Sequence, residues 1–163
     1  MLTLQTGVCD DGRHCGSCTA CCTHLSIPAG VVGRDAKPAG VACVYVGALG
    51  CRKHARRPAA CAAFRCEWLR DSTWQDSWRP DRVGLLSVRE ACDEWGPSAT
   101  IHEIRPGALR RPEAAGICDA LLRTTAGVVI VDTTGRRFRL AGMRASAETQ
   151  FVGAGAMRAQ PAA

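Results

Sequence analysis

No stretch of this chain is apolar for long enough to cross a bilayer. The longest uncharged apolar run, Val41–Cys51, is interrupted by Gly47 and Gly50 and falls short of the roughly 20 residues that a spanning helix needs. The first ten residues carry no basic segment followed by an apolar one, so no secretory signal is expected. No glycine-rich dinucleotide or phosphate loop occurs. No internal repeat of useful length is present, and no acid–base pair or nucleophile stands out. These absences favour a cytoplasmic protein with no membrane partner. Lysine is scarce as well, at 2 residues against 19 arginines, and the basic residues are spread over both halves of the chain. That argues against a nucleic-acid-binding surface.

Cysteine, by contrast, is abundant. The chain has 163 residues and 11 cysteines. Eight of them fall between Cys15 and Cys66, and four form one knot: Cys15-Gly-Ser-Cys18-Thr-Ala-Cys21-Cys22. Cys43, Cys51, Cys61 and Cys66 follow. A thiol at every third residue lets one turning loop aim several sulfurs at a point, as a thiophilic metal or an iron–sulfur cluster requires. In the cytoplasm thiols stay reduced, which favours metal over disulfide. A chain of this length can also bury a core without disulfides.

The formal charge of +6 assumes neutral thiols. Two tetrathiolate zinc sites would add eight negative and four positive charges and bring the total to +2. Part of the basic excess is then expected to balance ligand thiolates. Arg56, Arg57 and Arg65 flank Cys61 and are placed to do so.

The expected ligands are Cys15, Cys18, Cys21, Cys22, Cys43, Cys51, Cys61 and Cys66, holding zinc or iron, the latter also as an iron–sulfur cluster. Side chains of neighbouring residues diverge in most backbone conformations, so Cys21 and Cys22 are expected to serve different sites, or one to ligate while the other packs. His14, His24 and His54 lie near cysteines, but eight sulfurs suffice without them. Cys9 reads as an incidental terminal thiol, and Cys92 and Cys118 as core residues.

The expected fold class is α+β, with a small loop-rich cysteine module packed on a small β-β-α-β-β unit. Residues 1–14 form an irregular lead-in, 15–82 the metal module, 83–144 the α+β unit and 145–163 a flexible tail. Leu25 and Ile27 suggest a short strand ending at Pro28, and residues 28–40 a loop. Ala59–Leu69 predicts a short helix begun by Pro58. On an unbroken helix Cys61 and Cys66 would not share a face, so a break or turn is expected there. Residues 71–82 read as a connection whose tryptophans cover apolar surface. Strands are expected over Val83–Val88 and Ala99–Arg105. Pro112–Thr124 carries an apolar stripe at Ala114, Ile117, Cys118, Leu121 and Leu122, the spacing of one helix face. Val128–Val131 and Phe138/Leu140 flank a turn at Asp132–Gly135 and predict a hairpin.

The CGSCTACC knot, the spaced pair Cys43 and Cys51, and Arg57-Pro58-Ala-Ala-Cys61-Ala-Ala-Phe64-Arg65-Cys66 together resemble the YkgJ-type cysteine-cluster family. Its pattern is CxxCxxCC, a mid-domain cysteine pair, and a closing Arg-Pro-x-x-Cys-x-x-aromatic-x-Cys. Arg79-Pro80-Asp81-Arg82 is also similar to such proteins. The likeness runs from about Cys15 to about Val88. It implies zinc or iron chelation by the eight cysteines and supplies no reaction. Two alternatives remain open. One is an iron–sulfur enzyme of redox or modification chemistry, which needs an open coordination position or a substrate pocket. The other is a zinc-shaped interaction module that meets an acidic protein partner through Arg110-Arg111 or the hairpin.

Overall fold

The computed structural model describes residues 12–89 and 97–141. The fold is α+β: a four-stranded mixed sheet with one longer helix, together with a small hairpin and several short helices. By backbone contacts the chain forms two compact units that divide between Leu86 and Ser87. Among the described residues no helix is long and apolar enough to cross a membrane.

The N-terminal unit has little regular structure. Helix α1 spans Ala20–His24 and carries Cys21 and Cys22. Strands β1 (Val46–Gly47) and β2 (Gly50–Cys51) pair antiparallel, Val46 opposite Cys51. Helices α2 (Ala59–Ala63) and α3 (Glu67–Arg70) are separated by extended backbone at Phe64 and Cys66. The segment Ala59–Leu69 thus carries the break expected between Cys61 and Cys66 and forms two helices. Pro58 caps the first with φ −52 and ψ 149, and Cys66 caps the second with φ −69 and ψ 162. The break turns Cys61 and Cys66 toward the same space, which an uninterrupted helix would not do. The strand expected at Leu25–Ile27 is reduced to one antiparallel bridge between Ile27 and Lys37, and residues 28–36 form bends and turns.

Helix α4 spans Pro80–Val83 and ends on Gly84 at φ 80, a left-handed stop that suits glycine. Strand β3 (Leu85–Arg89) starts immediately after it. Trp68, Leu69, Trp74, Val83, Leu85 and Leu86 are buried. Trp74 and Trp78 meet edge to face with centroids 5.3 Å apart, a favourable aromatic geometry.

In the C-terminal unit β4 (Ser98–Glu103) and β5 (Gly127–Val131) pair parallel, and β6 (Arg137–Ala141) pairs antiparallel with β5. The strand order is β3-β4-β5-β6. A parallel pair needs a crossover, and α5 (Pro112–Leu122) supplies it. Ala114, Ile117 and Leu121 of the apolar stripe are buried, while Cys118 and Leu122 are half-buried. Ile117 is fully inaccessible. The β-β-α-β-β order and the Asp132–Gly135 turn match the expectation, with Asp132 accepting hydrogen bonds from the backbone of Thr134 and Arg136. Cys9, Cys92 and Trp95, the residues before 12, and the tail from 145 onward lie outside the described residues.

The packing of α5 generates a direct check. Ile117→Ala removes a buried side chain without changing backbone preference much. It is expected to cost about 2–5 kcal/mol in denaturant unfolding, whereas Ala115→Ser on the exposed face should stay within about 0.5 kcal/mol.

Candidate metal centre

All eight cysteines of the pattern line one cavity in the N-terminal unit, with a volume of about 230 Å³. Cys15, Cys18, Cys21, Cys22, Cys43, Cys51, Cys61 and Cys66 contribute to its wall, and none of them is in a disulfide. The rest of the wall is mainly apolar, including Leu25, Ile27, Val31, Val32 and Phe64. Among its polar or cationic side chains are His54, Arg57, Arg65 and Arg79.

The local geometry explains the convergence. Cys18 N–H donates to the Cys15 carbonyl at 2.9 Å, which closes the first CxxC into a tight turn with Gly16 at φ 54. From there the chain enters α1, so Cys21 and Cys22 leave the helix with sulfurs 3.9 Å apart. The divergence expected of neighbours is thus not seen, and both face the same cavity. Cys43 N–H donates to the Cys22 carbonyl at 2.9 Å and binds the middle segment to α1. The β1–β2 hairpin delivers Cys51 through Gly50. A side chain at Gly50 would place its Cβ 2.5 Å from the Gly16 carbonyl oxygen and 3.3 Å from Ser17 Cα, and Gly50 also has φ 107. Only glycine lets the hairpin backbone lie against the first CxxC turn.

Two arginines hold this assembly from outside the cysteine pattern. Arg79 donates to the Cys15 carbonyl at 3.1 Å and to Ser17 Oγ at 3.3 Å, and pairs with Asp81 at 2.9 Å. Arg13 donates to the carbonyls of Trp68, Asp71, Ser72 and Trp74. Both guanidinium groups lie over the Trp68 ring, at 4.8 Å for Arg13 and 5.8 Å for Arg79. The Trp68 indole N–H in turn donates to the Gln75 carbonyl at 3.1 Å. Trp68 lines the cavity as well, so the ring braces the wall next to Cys66. Arg57 donates to His54 Nε2. Of the histidines near cysteines, His54 lies at the cavity, while His14 and His24 are not among its lining residues.

Burial raises most of the thiols. It pushes Cys66 up to about 11 and lifts Cys15, Cys18 and Cys61 above the free-thiol value. Arg57 and Arg65 act in the opposite direction on Cys15. In the Cys21–Cys22 pair, the hydrogen bond between the sulfurs favours the proton on Cys21 and the charge on Cys22, which Lys37 and Arg57 also stabilise. The site therefore holds one thiol biased toward thiolate among several that burial keeps protonated.

Eight soft donors around one cavity are a set that zinc, iron or an iron–sulfur cluster accepts. Among the described residues, however, no three His, Cys, Asp or Glu side chains come together closely enough to hold one ion. One zinc at about 2.3 Å from each sulfur would draw four sulfurs to within roughly 3.8 Å of each other. Apart from the pair on α1, the thiols are spread around a wider space. Sequence reasoning missed three positions here: Gly50, Arg79 as an anchor of the first turn, and Lys37. A glycine immediately before a cysteine was the only available signal for the first. The Arg79-Pro80-Asp81-Arg82 string was visible, but its contact with Cys15 depends on long-range folding.

Two outcomes follow. Gly50→Ala should destabilise the reduced protein by about 1–3 kcal/mol through strain and displacement of the Cys15–Cys18 turn. Gly33→Ala, where an added Cβ meets nothing within 4 Å, should have little effect in the same unfolding measurement. The second outcome concerns pH. Thiols raised in the fold contribute stability below their unfolded pKa of about 8.5 and lose it as pH rises through the folded values. Metal-stripped, reduced protein should therefore unfold at lower denaturant at pH 10.5 than at pH 8. A midpoint that does not fall over this interval would contradict the burial described for Cys66 and its neighbours.

No protein-family model, no curated protein and no solved structure matches the chain.

Proposed function

We propose that this protein is a thiolate metal-binding protein. Cys15, Cys18, Cys21, Cys22, Cys43, Cys51, Cys61 and Cys66 chelate zinc or iron, the latter also as an iron–sulfur cluster. The observation that carries the reading is that eight cysteines, scattered from the first loop to the start of α3, line a single cavity. Eight soft donors are twice what one tetrahedral ion takes, so the set suits two ions or a polynuclear centre. The motif likeness to the YkgJ-type cysteine-cluster family points the same way. Bound metal would supply folding free energy that the short elements of this unit do not, on the order of 10 kcal/mol for a structural zinc site.

One observation favours the enzyme reading as a second choice. Leu25, Ile27, Val31, Val32 and Phe64 line the same cavity as the thiols. A metal centre with an apolar chamber next to it is a setting in which a small substrate is desolvated.

Metal per chain and acid-labile sulfide, measured on anaerobically purified protein, test the proposal. Stoichiometric zinc with a colourless sample, or iron with sulfide and broad visible absorption, is the expected result. Protein free of both metals, or with the eight cysteines in disulfides, would refute it. Chelation under reducing conditions should make the N-terminal unit the first to be cut by protease. Cys18→Ser should lower the metal count, and unchanged stoichiometry would remove Cys18 from the ligand set.

A further inference from the structure

Lys37 is one of two lysines in the chain, and only 7% of it is exposed. Its ammonium donates to the carbonyl oxygens of Val41 at 2.7 Å, Pro38 at 2.8 Å and Thr23 at 3.3 Å. Three donors meet three acceptors, so its hydrogen-bonding capacity is filled. Its charge is another matter. Among the described residues no carboxylate forms an ion pair with it. A buried cation without an anionic partner is costly, and such charges are normally paired.

Two of the carbonyls it holds, those of Thr23 and Val41, belong to the segments that carry Cys22 and Cys43. Burial pushes Lys37 down from its ordinary value, and Cys43, Cys22 and Cys21 push it back up. The geometry ties it to the same three residues. Thr23 follows Cys22 directly, Val41 lies two residues before Cys43, and Cys43 N–H reaches the Cys22 carbonyl at 2.9 Å. The backbone of Lys37 is fixed by reciprocal bonds with Ile27, 2.9 Å and 2.8 Å long. With neutral thiols this ammonium is a buried, uncompensated charge. With thiolates it has its counter-ions, and metal ligation is what makes thiolates of buried cysteines.

We propose that Lys37 is the resident counter-cation of the cysteine centre, locking the Cys21–Cys22 helix to the Cys43 loop and offsetting the negative charge of metal-bound thiolates. The inference rests on the metal-binding reading above and adds a positioning residue that the cysteine pattern does not contain. Lys37 is not a ligand, since all three of its N–H groups are engaged by carbonyls.

Reductive methylation of wild-type protein, mapped by mass spectrometry, tests this without a variant. Lys53 is exposed and serves as the internal control. In metal-loaded protein Lys37 should react at least about tenfold more slowly than Lys53, and stripping the metal should remove most of that protection. Lys37 reacting as fast as Lys53 while metal is bound would overturn the inference and leave the metal-binding reading standing. So would protection that is the same with and without metal. Wild-type protein that carries no metal would overturn both. Two variants separate charge from hydrogen bonding. Lys37→Gln keeps donors for the carbonyls and should lose its metal to a competing chelator at about tenfold lower chelator concentration. Lys37→Arg keeps the charge and should stay within about threefold of the parent. A Lys37→Gln protein that holds metal as tightly as the parent overturns the inference, and if that variant does not fold the methylation result decides.

Discussion

The N-terminal unit depends on cations that donate to backbone carbonyls. Its helices have five residues or fewer and its strands two, apart from β3 at its boundary, so intrahelical and ladder bonds satisfy few of its peptide groups. Buried carbonyls still need partners. Arg13 supplies them for the turn from Trp68 to Trp74. Lys37 does the same for Thr23, Pro38 and Val41, and Arg79 does it for Cys15. Each reaches a loop that is irregular in itself. They add to the backbone bonds, such as Cys18 N–H to Cys15 and Cys43 N–H to Cys22, that space the cysteine segments.

Cations also serve the electrostatics of the site, with Lys37 common to both roles. Thiols removed from water resist ionisation, as Cys66 illustrates, and a metal centre needs them ionised. Arg57 and Arg65 oppose that resistance at Cys15, and Lys37 and Arg57 oppose it at Cys22. A positive surrounding lowers the cost of gathering thiolates. Part of the basic excess thus has a structural origin, and two tetrathiolate zinc sites would reduce the net charge from +6 to +2.

Much of the C-terminal unit could be read from the sequence because its signals are local. The stripe Ala114, Ile117, Leu121 has the period of a helix, and Val128–Val131 and Phe138/Leu140 flank a turn rich in turn-forming residues. The parallel pairing of β4 with β5 follows once α5 is seen as a crossover. The N-terminal unit was legible in its chemistry and poorly legible in its shape. Cysteine spacing named the eight thiols. The poor match of Cys61 and Cys66 to one helix face called for a break in Ala59–Leu69, but spacing could not place it at Phe64–Cys66 or show that Leu25–Ile27 makes only one bridge. Those outcomes are set by where distant side chains need the backbone to be, and no short-range period encodes them.

The position of Gly50 shows how closely shape and chemistry are joined. The hairpin has only two residues in each strand and would be unstable alone. Its backbone rests on the Cys15–Cys18 turn, whose Cys15 carbonyl accepts a hydrogen bond from Arg79. Cys51 reaches the cavity through that contact, although it lies far along the chain from the first knot. A bound metal joining Cys51 to that knot would close the same loop covalently. Ligation and backbone packing would then stabilise one arrangement, and loss of either would loosen the other.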